Sequence, residues 1–192
     1  MAGDNTDEVA RRIALANPEV HLLIREGRQG VGTAIRRGIE MASGEIIMPM
    51  MGDSAEFESD VVVLAHKAQK DTIIVGSRFM RKNTLVGYPP LKRCANRLCN
   101  LFAKVLFRIP TSDLTNAFKA YPSIVLKNLD LRSRGYSIFL ELPLKAYLRG
   151  TRSLVEVSVS HTATRKRCGL RVFRDGIDYC ITLFRMLFHH YP

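Results

Sequence analysis

The sequence predicts an α/β domain with a parallel sheet. Short apolar runs at residues 20–24, 45–50 and 72–75 alternate with helical patterns, which is how strands and crossover helices are laid down in such sheets. The chain has 192 residues, 46% of them hydrophobic and 24% charged, enough for one sizeable core and outside the range of disordered or fibrous proteins. The longest stretch without a charge, residues 83–91, is far short of the about 20 apolar residues that cross a bilayer.

Residues 7–16 place Val9, Ile13 and Ala16 on one side of a helix, and Asn17-Pro18 stops it, because the residue before proline avoids helix. Residues 20–24 read as a strand, 27–32 as a turn, 33–42 as a helix, 45–50 as a strand and 60–69 as a helix. Residues 72–75 are a buried strand ending at Gly76. Residues 91–107 form a long basic amphipathic helix, and 112–121 a loop and strand. Residues 137–147 are a helix in which Pro143 costs a hydrogen bond or a kink. Residues 154–159 alternate as a strand, 161–171 are a basic loop, and 172–188 are a final helix apolar over much of its surface. The domain spans residues 1–175, and 172–192 is an amphipathic C-terminal helix. That helix is either interfacial or packed on the core; the interfacial reading exposes Leu183, Phe184 and Leu187 together.

The formal net charge is +11 and unevenly spread. Residues 1–60 hold eleven acids against six bases, and residues 72–112 hold eight bases and no acid. Such a block faces nucleic acid, a membrane surface or phosphorylated substrates, or it is a solvated basic face. Only Phe79 and Tyr88 interleave with the basic run from Arg78 to Arg97, and no nucleic-acid-binding motif is present, so nucleic acid ranks last. Cys94, Cys99, Cys168 and Cys180 show no metal-ligand spacing and suit a reducing cytoplasm. Residues 1–12 lack a signal-peptide pattern.

In parallel α/β sheets ligands bind beyond the carboxyl ends of the strands. Gly30-Val31-Gly32 opens a helix there. Its backbone N–H groups could receive an anion, or the glycines could simply make a tight turn. Asp53, with Glu56, Glu58 and Asp60, follows the strand at 45–50, where carboxylates suit Mg²⁺ or Mn²⁺ held with substrate phosphates, or cap the next helix. Arg78 stands just past the buried strand, followed by Arg81, Lys82, Lys92, Arg93 and Arg97, and arginine pairs bidentately with phosphate.

These pieces resemble the glycosyltransferase family 2 enzymes that act on polyprenyl phosphates, the dolichyl-phosphate mannose synthase type. The matching residues are Gly30-Val31-Gly32-Thr33-Ala34, Met51-Gly52-Asp53, Val75-Gly76-Ser77-Arg78-Phe79 and Asn96-Arg97-Leu98-Cys99-Asn100. The most specific block is Ser112-Asp113-Leu114-Thr115-Asn116-Ala117-Phe118-Lys119, and Gly135-Tyr136-Ser137 with Glu141 follows it. The resemblance implies a GT-A fold with a Rossmann-like sheet. It implies inverting transfer of a sugar from a nucleotide-sugar donor to a polyprenyl phosphate, with Mg²⁺ or Mn²⁺, at the cytoplasmic membrane face.

Carried onto this sequence, Asp53 matches the second acid of the Asp-x-Asp metal motif, and Asp113 and Glu141 match acids lining the site. Gly30, Gly32 and Arg78 match the donor-phosphate region. Lys92, Arg93, Asn96 and Arg97 fall where the acceptor phosphate is gathered, and Arg78 is expected to converge with at least one of those bases in a cleft facing Asp53.

Three departures stand out. Met51 replaces the first acid of Asp-x-Asp. In the later Arg-x-x-Gly-x-Ser-Lys loop the serine and lysine are missing, with Arg171 as the stand-in cation. Asp4-Asn5-Thr6-Asp7 resembles the tail of a segment after the family's second strand, so the chain reads as lacking the first strand, first helix and second strand. Met51 and that start favour an alternative, a member without catalysis that serves as a binding or scaffolding subunit.

Overall fold

In this computed structural model residues 5–25, 27, 30–52, 58–81, 85–162 and 170–188 are described. The chain divides into two units, Met1–Gly30 and Val31–Pro192. In the first, helix α1 (Thr6–Ala16) has Asp7 and Glu8 in its first turn, where acids favour the helix dipole, and it ends at Asn17 before the proline. The strand expected at residues 20–24 does not form. Among the described residues the run pairs with no strand, and Val20, Leu22, Leu23 and Ile24 stay substantially exposed. An apolar extended run becomes a strand only where a neighbour supplies backbone partners.

The second unit is built around β2 (Thr72–Ser77), whose six residues are all buried. On one side β2 pairs in parallel with β5 (Ser153–Ser158), in register from Thr72 opposite Ser153 to Ser77 opposite Ser158. On the other it pairs antiparallel with β4 (Lys119–Pro122), which in turn pairs antiparallel with β1 (Ile46–Ile47). The sheet order is therefore β1-β4-β2-β5, and the sheet is mixed rather than parallel. The connection over residues 78–118 contains an 18-residue helix and is long enough for either direction, so the antiparallel sense of β4 is set by how the chain turns into it and not by the length of the crossover.

Alternation along β2 divides the core. Ile73 and Val75 face a large cluster with Tyr121, Leu114, Ile109 and Leu140, while Ile74 faces a smaller one with Phe118, Val157 and Leu64 of α3 (Glu58–Lys67). Each such fully buried aliphatic side chain contributes about 1.5–3 kcal/mol. Helix α2 (Val31–Met41) and the short α5 (Ser123–Lys127) pack beside the larger cluster, with Ile39 and Leu126 buried in it.

Helix α6 (Ile138–Lys145) is buried along its whole length and carries Pro143 inside it. The helix runs on past that proline and widens into a π-turn over Ala146–Gly150, where the Thr151 N–H donates to the Ala146 carbonyl. A small parallel pair, β3 (Leu85–Val86) with β6 (His161–Thr162), was not visible as a pattern in the sequence.

Two long helices complete the unit, α4 (Pro90–Phe107) and α7 (Leu170–Phe188), and they pack against each other. The expectation for α7 needs correction. Leu183 and Met186 are buried in the core and Leu187 is half-buried, so the exposed stripe runs instead through Ile177, Ile181, Phe184 and Phe188. Their spacing of four, three and four residues keeps them on one face.

Candidate functional site

The carboxyl end of β2 hands the chain to Arg78, and everything polar at this rim is organised around it. The Arg78 guanidinium is buried and meets Asp113 in a two-pronged ion pair, with Nε 2.8 Å from Oδ2 and Nη2 2.8 Å from Oδ1. The Arg78 backbone N–H also donates to Oδ2 at 3.0 Å. Burial pushes the Asp113 carboxyl up, but the Arg78 charge and hydrogen bonds override it and hold the group below its ordinary value. Arg78 Nη2 reaches Thr115 Oγ1 at 3.0 Å, and Nη1 reaches the Tyr88 hydroxyl at 3.2 Å.

The loop 111–117 that carries Asp113 is held from three other directions. From α4, Asn100 Oδ1 accepts the backbone N–H groups of Leu114 and Thr115 at 3.0 and 3.2 Å. From β5, Glu156 accepts from the Thr111 and Ser112 hydroxyls and from the Ser112 N–H. Asn116 donates to the Gly76 carbonyl at 2.8 Å, which ties the loop back to β2. From within, the fully buried Lys119 ammonium donates to the carbonyls of Leu114 and Asn116.

Burial pushes Lys119 down to about 7, with Asp113 and Glu156 opposing and Arg78 reinforcing. Its ordinary value is 10.5, so between the two the unfolded chain holds a proton that the folded chain has lost. Lys119 thus costs most stability below pH about 7, and that cost fades as pH rises toward the unfolded value. The urea midpoint of the chain minus that of Lys119→Met is therefore expected to grow between pH 7 and 10. A difference constant over that range would show that Lys119 keeps an ordinary proton affinity.

Around the buried pair, cations approach two aromatic faces. Arg78 and Lys92 approach the Tyr88 ring at 5.7 and 5.1 Å, and Arg78 and Arg97 approach the Phe79 ring, each at 5.4 Å. Asn96 donates to the Tyr88 hydroxyl at 2.6 Å. Arg78, Lys92, Asn96 and Arg97 are thus drawn around two aromatic side chains, while Arg93 is exposed on α4. Asp53, and the basic residues Arg165, Lys166 and Arg167, lie outside the described residues, so no cleft facing Asp53 is described. Arg171 is on α7, with its side chain outside the description.

Glu141 belongs to a second buried cluster. It accepts from Lys145 Nζ at 2.5 Å and from the backbone N–H groups of Arg132 and Ser133 at 3.0 and 2.8 Å. Burial pushes its carboxyl up, and the Lys145 bond with those two N–H groups brings it below the ordinary value. The same loop receives the Gly32 N–H at the Arg134 carbonyl, 2.8 Å away. That changes the reading of the glycines. Gly32 spends its N–H on protein rather than offering it to an anion, and Gly30 takes a left-handed φ of 79° that favours glycine in the turn. Asp113 and Glu141, expected as acids lining the site, are both buried and ion-paired, with side-chain exposures of 0% and 4%.

No three described carboxylate, imidazole or thiol groups converge as a metal site. Met51, where the family's first acid falls, is half-buried against the apolar core. Asp53, the acid matched to the metal motif, lies outside the described residues.

The roles of Asn100, Lys119 and Glu156 were missed from sequence, although Asn100 and Lys119 stand inside the matching blocks. Asn100 lies four residues after Asn96, which puts the two asparagines on one face of the helix.

Residues 2–129 match the family model described as glycosyl transferase family 2. The chain belongs to that family. Among curated relatives it is 29% identical over 168 residues to the polyprenol monophosphomannose synthase of Mycolicibacterium smegmatis, covering 83% of this chain and 63% of that protein. It is 24% identical over 164 residues to the undecaprenyl-phosphate mannosyltransferase of Micrococcus luteus, covering 82% and 67%. The chain thus spans about two thirds of the length of these relatives. Among solved structures, glucosyl-3-phosphoglycerate synthase from Mycobacterium tuberculosis in complex with uridine diphosphate superposes with a TM-score of 0.69 at 17% identity, covering 96% of this chain and 65% of that one. The same enzyme with Mn²⁺, uridine diphosphate and product gives 0.68. At that identity the likeness shows the fold: this family 2 chain has a GT-A-like α/β fold with a mixed sheet.

Proposed function

We propose that this family 2 chain, with residues 1–175 as its glycosyltransferase domain, takes part in transferring a sugar from a nucleotide-sugar donor to a polyprenyl phosphate at a membrane face. The observation that carries this reading is the rim of cations drawn from an acid-free segment and gathered on Tyr88 and Phe79. The names of the two curated relatives, both mannose transferases acting on polyprenols or their phosphates, support the choice of acceptor and of mannose.

In the proposed reaction an ionised oxygen of the acceptor phosphate attacks the anomeric carbon. The bond from that carbon to the donor diphosphate breaks, the electron pair leaves with the nucleoside diphosphate, and configuration inverts. The nucleophile is already an anion, so no protein base has to remove a proton. What the chain must supply is position and charge neutralisation. Lys92, Arg93 and Arg97 neutralise phosphate charge, and Asn96 orients beside Tyr88. Arg78 and Asp113 act one layer deeper, holding the 111–117 loop and the Tyr88 hydroxyl in place. A divalent ion supporting the donor diphosphate would rest on Asp53.

The test is lipid-extractable radiolabel formed from nucleotide-activated mannose and a detergent-dispersed polyprenyl phosphate. Arg97→Ala and Lys92→Ala are each expected to weaken the acceptor about tenfold, one charge-assisted contact's worth, with thermal stability unchanged. Transfer that is indifferent to both substitutions would overturn the acceptor assignment. A second reading, donor binding without transfer, is favoured by Met51 on the core. It predicts nucleotide-sugar binding by calorimetry with no labelled lipid.

A further inference from the structure

Helix α7 reaches the site through one turn. The Asp178 carboxylate stands over Gly135, with Oδ2 3.0 Å from where a Cβ on that glycine would lie. Tyr179 packs on the large core cluster and is within electrostatic reach of the Arg78 guanidinium. Further along the helix Thr182, Leu183 and Met186 are buried. The turn 178–180 is therefore fixed from several sides, and Cys180 stands on its exposed edge.

Helix α4, packed against α7, carries Cys99. Cys99 is half-buried and packs on the same cluster as Tyr179 and Leu183, with Ala103 buried one turn beyond it. Cys180 is close enough to act on it: burial pushes the Cys99 thiol up to about 12, and Cys180 adds to the rise. Helices packed side by side stand about 8–10 Å apart, which brings Cα atoms on their facing flanks into the about 4.4–6.8 Å that a disulfide spans. Both cysteines are free thiols, and neither has a part in the site described above.

We propose that Cys99 and Cys180 are a redox-sensitive clamp between α4 and α7, closed as a disulfide by a small-molecule disulfide of the glutathione class. Cys180 is exposed, so its thiolate attacks first. It takes one glutathione as a mixed disulfide, and the other leaves as a thiolate and is protonated. Cys99 then gives up its proton and displaces the bound glutathione from Cys180. One sulfur–sulfur bond of the oxidant breaks and one forms in the protein; the two thiol protons end on the two reduced glutathiones. A Cys99 thiol kept protonated by burial suits the second, intramolecular step rather than the first. The bond ties together two neighbours of the site. Asn100, next to Cys99, holds the 111–117 loop, and Tyr179, next to Cys180, lies in reach of Arg78. The inference stands on the packing of the two helices and not on the sugar-transfer reading.

The test uses the full chain with Cys94→Ser and Cys168→Ser, incubated folded with millimolar oxidised glutathione. Peptide mapping under non-reducing conditions is expected to find Cys99 joined to Cys180 within one chain. The thermal midpoint is expected to rise by about 5–10 °C and to return with dithiothreitol. Adding Cys99→Ser is expected to stop the reaction at glutathione on Cys180, and adding Cys180→Ser to leave Cys99 unmodified. The unsubstituted chain is expected to form the same bridge. Thiols that stay free, a mixed disulfide on Cys180 that persists with Cys99 present, or a bond between two chains would overturn the proposal. So would a bridge from Cys180 to Cys94 or Cys168 in the unsubstituted chain, or one that forms only in urea or fails to raise the thermal midpoint.

Discussion

Replacing Asp113 by alanine is expected to destabilise the chain by about 3–5 kcal/mol, because it leaves the Arg78 guanidinium buried without its counter-charge. Asp113 is fully buried and accepts from three donors of Arg78, and Asn100 and Thr115 stand beside the same oxygens. Arg78→Met carries a penalty of the same kind, since it strands the carboxylate. The double variant Asp113→Ala with Arg78→Met is expected to be less destabilised than the sum of its parts, because neither charge is then left alone.

The pair also sets an acid limit. Asp113 titrates below its ordinary 3.8 in the folded chain, so its contribution is present above that value and is lost as pH falls through the lower folded value. Urea titrations of the four proteins at neutral pH check the coupling. Strict additivity would mean that Arg78 and Asp113 do not depend on one another.

Gly32→Ala is expected to cost about 3 kcal/mol, the upper end for forcing a methyl into a packed site, while Gly38→Ala on the same helix gains about 0.5–1 kcal/mol. A Cβ at Gly32 would sit 2.2 Å from the Ser133 carbonyl oxygen and 2.9 Å from the Ser133 and Arg134 carbonyl carbons. All three are backbone atoms. The loop that carries them is pinned by Glu141 through the Arg132 and Ser133 N–H groups, so it has little freedom to retreat. Around Gly38 nothing lies within 4 Å of the added atom, and alanine simply stiffens the helix. Alanine keeps the backbone N–H, so a glycine present only to offer that group to an anion would tolerate the change. Thermal denaturation of the two variants side by side measures the difference, and equal midpoints would show that the α2 approach to residues 133–134 is loose.

Much of the architecture was legible because periodicity and punctuation are local. The unbroken run of β-branched residues at 72–75 marked β2, the helical spacing marked α2, α3, α4 and α7, and Asn17-Pro18 marked the end of α1. The motif residues Arg78 and Asp113 could each be singled out, one as a donor-phosphate arginine and the other as an acid lining the site. Their relation could not. That Asp113 would spend itself on Arg78, and Glu141 on Lys145, depends on which loops close over them and how much water is excluded.

Pairing direction lay beyond the pattern for a similar reason. An apolar run reads alike whether its neighbour is parallel, as β5 is to β2, antiparallel, as β4 is, or missing, as at residues 20–24. The clearest case is α4. An amphipathic period is unchanged when the helix is turned through half a circle, so the sequence determined that α4 has a polar and an apolar face. Only the tertiary structure decided that the asparagines turn inward. There the loop 111–117 offers them backbone donors to satisfy, and the leucines are left outside.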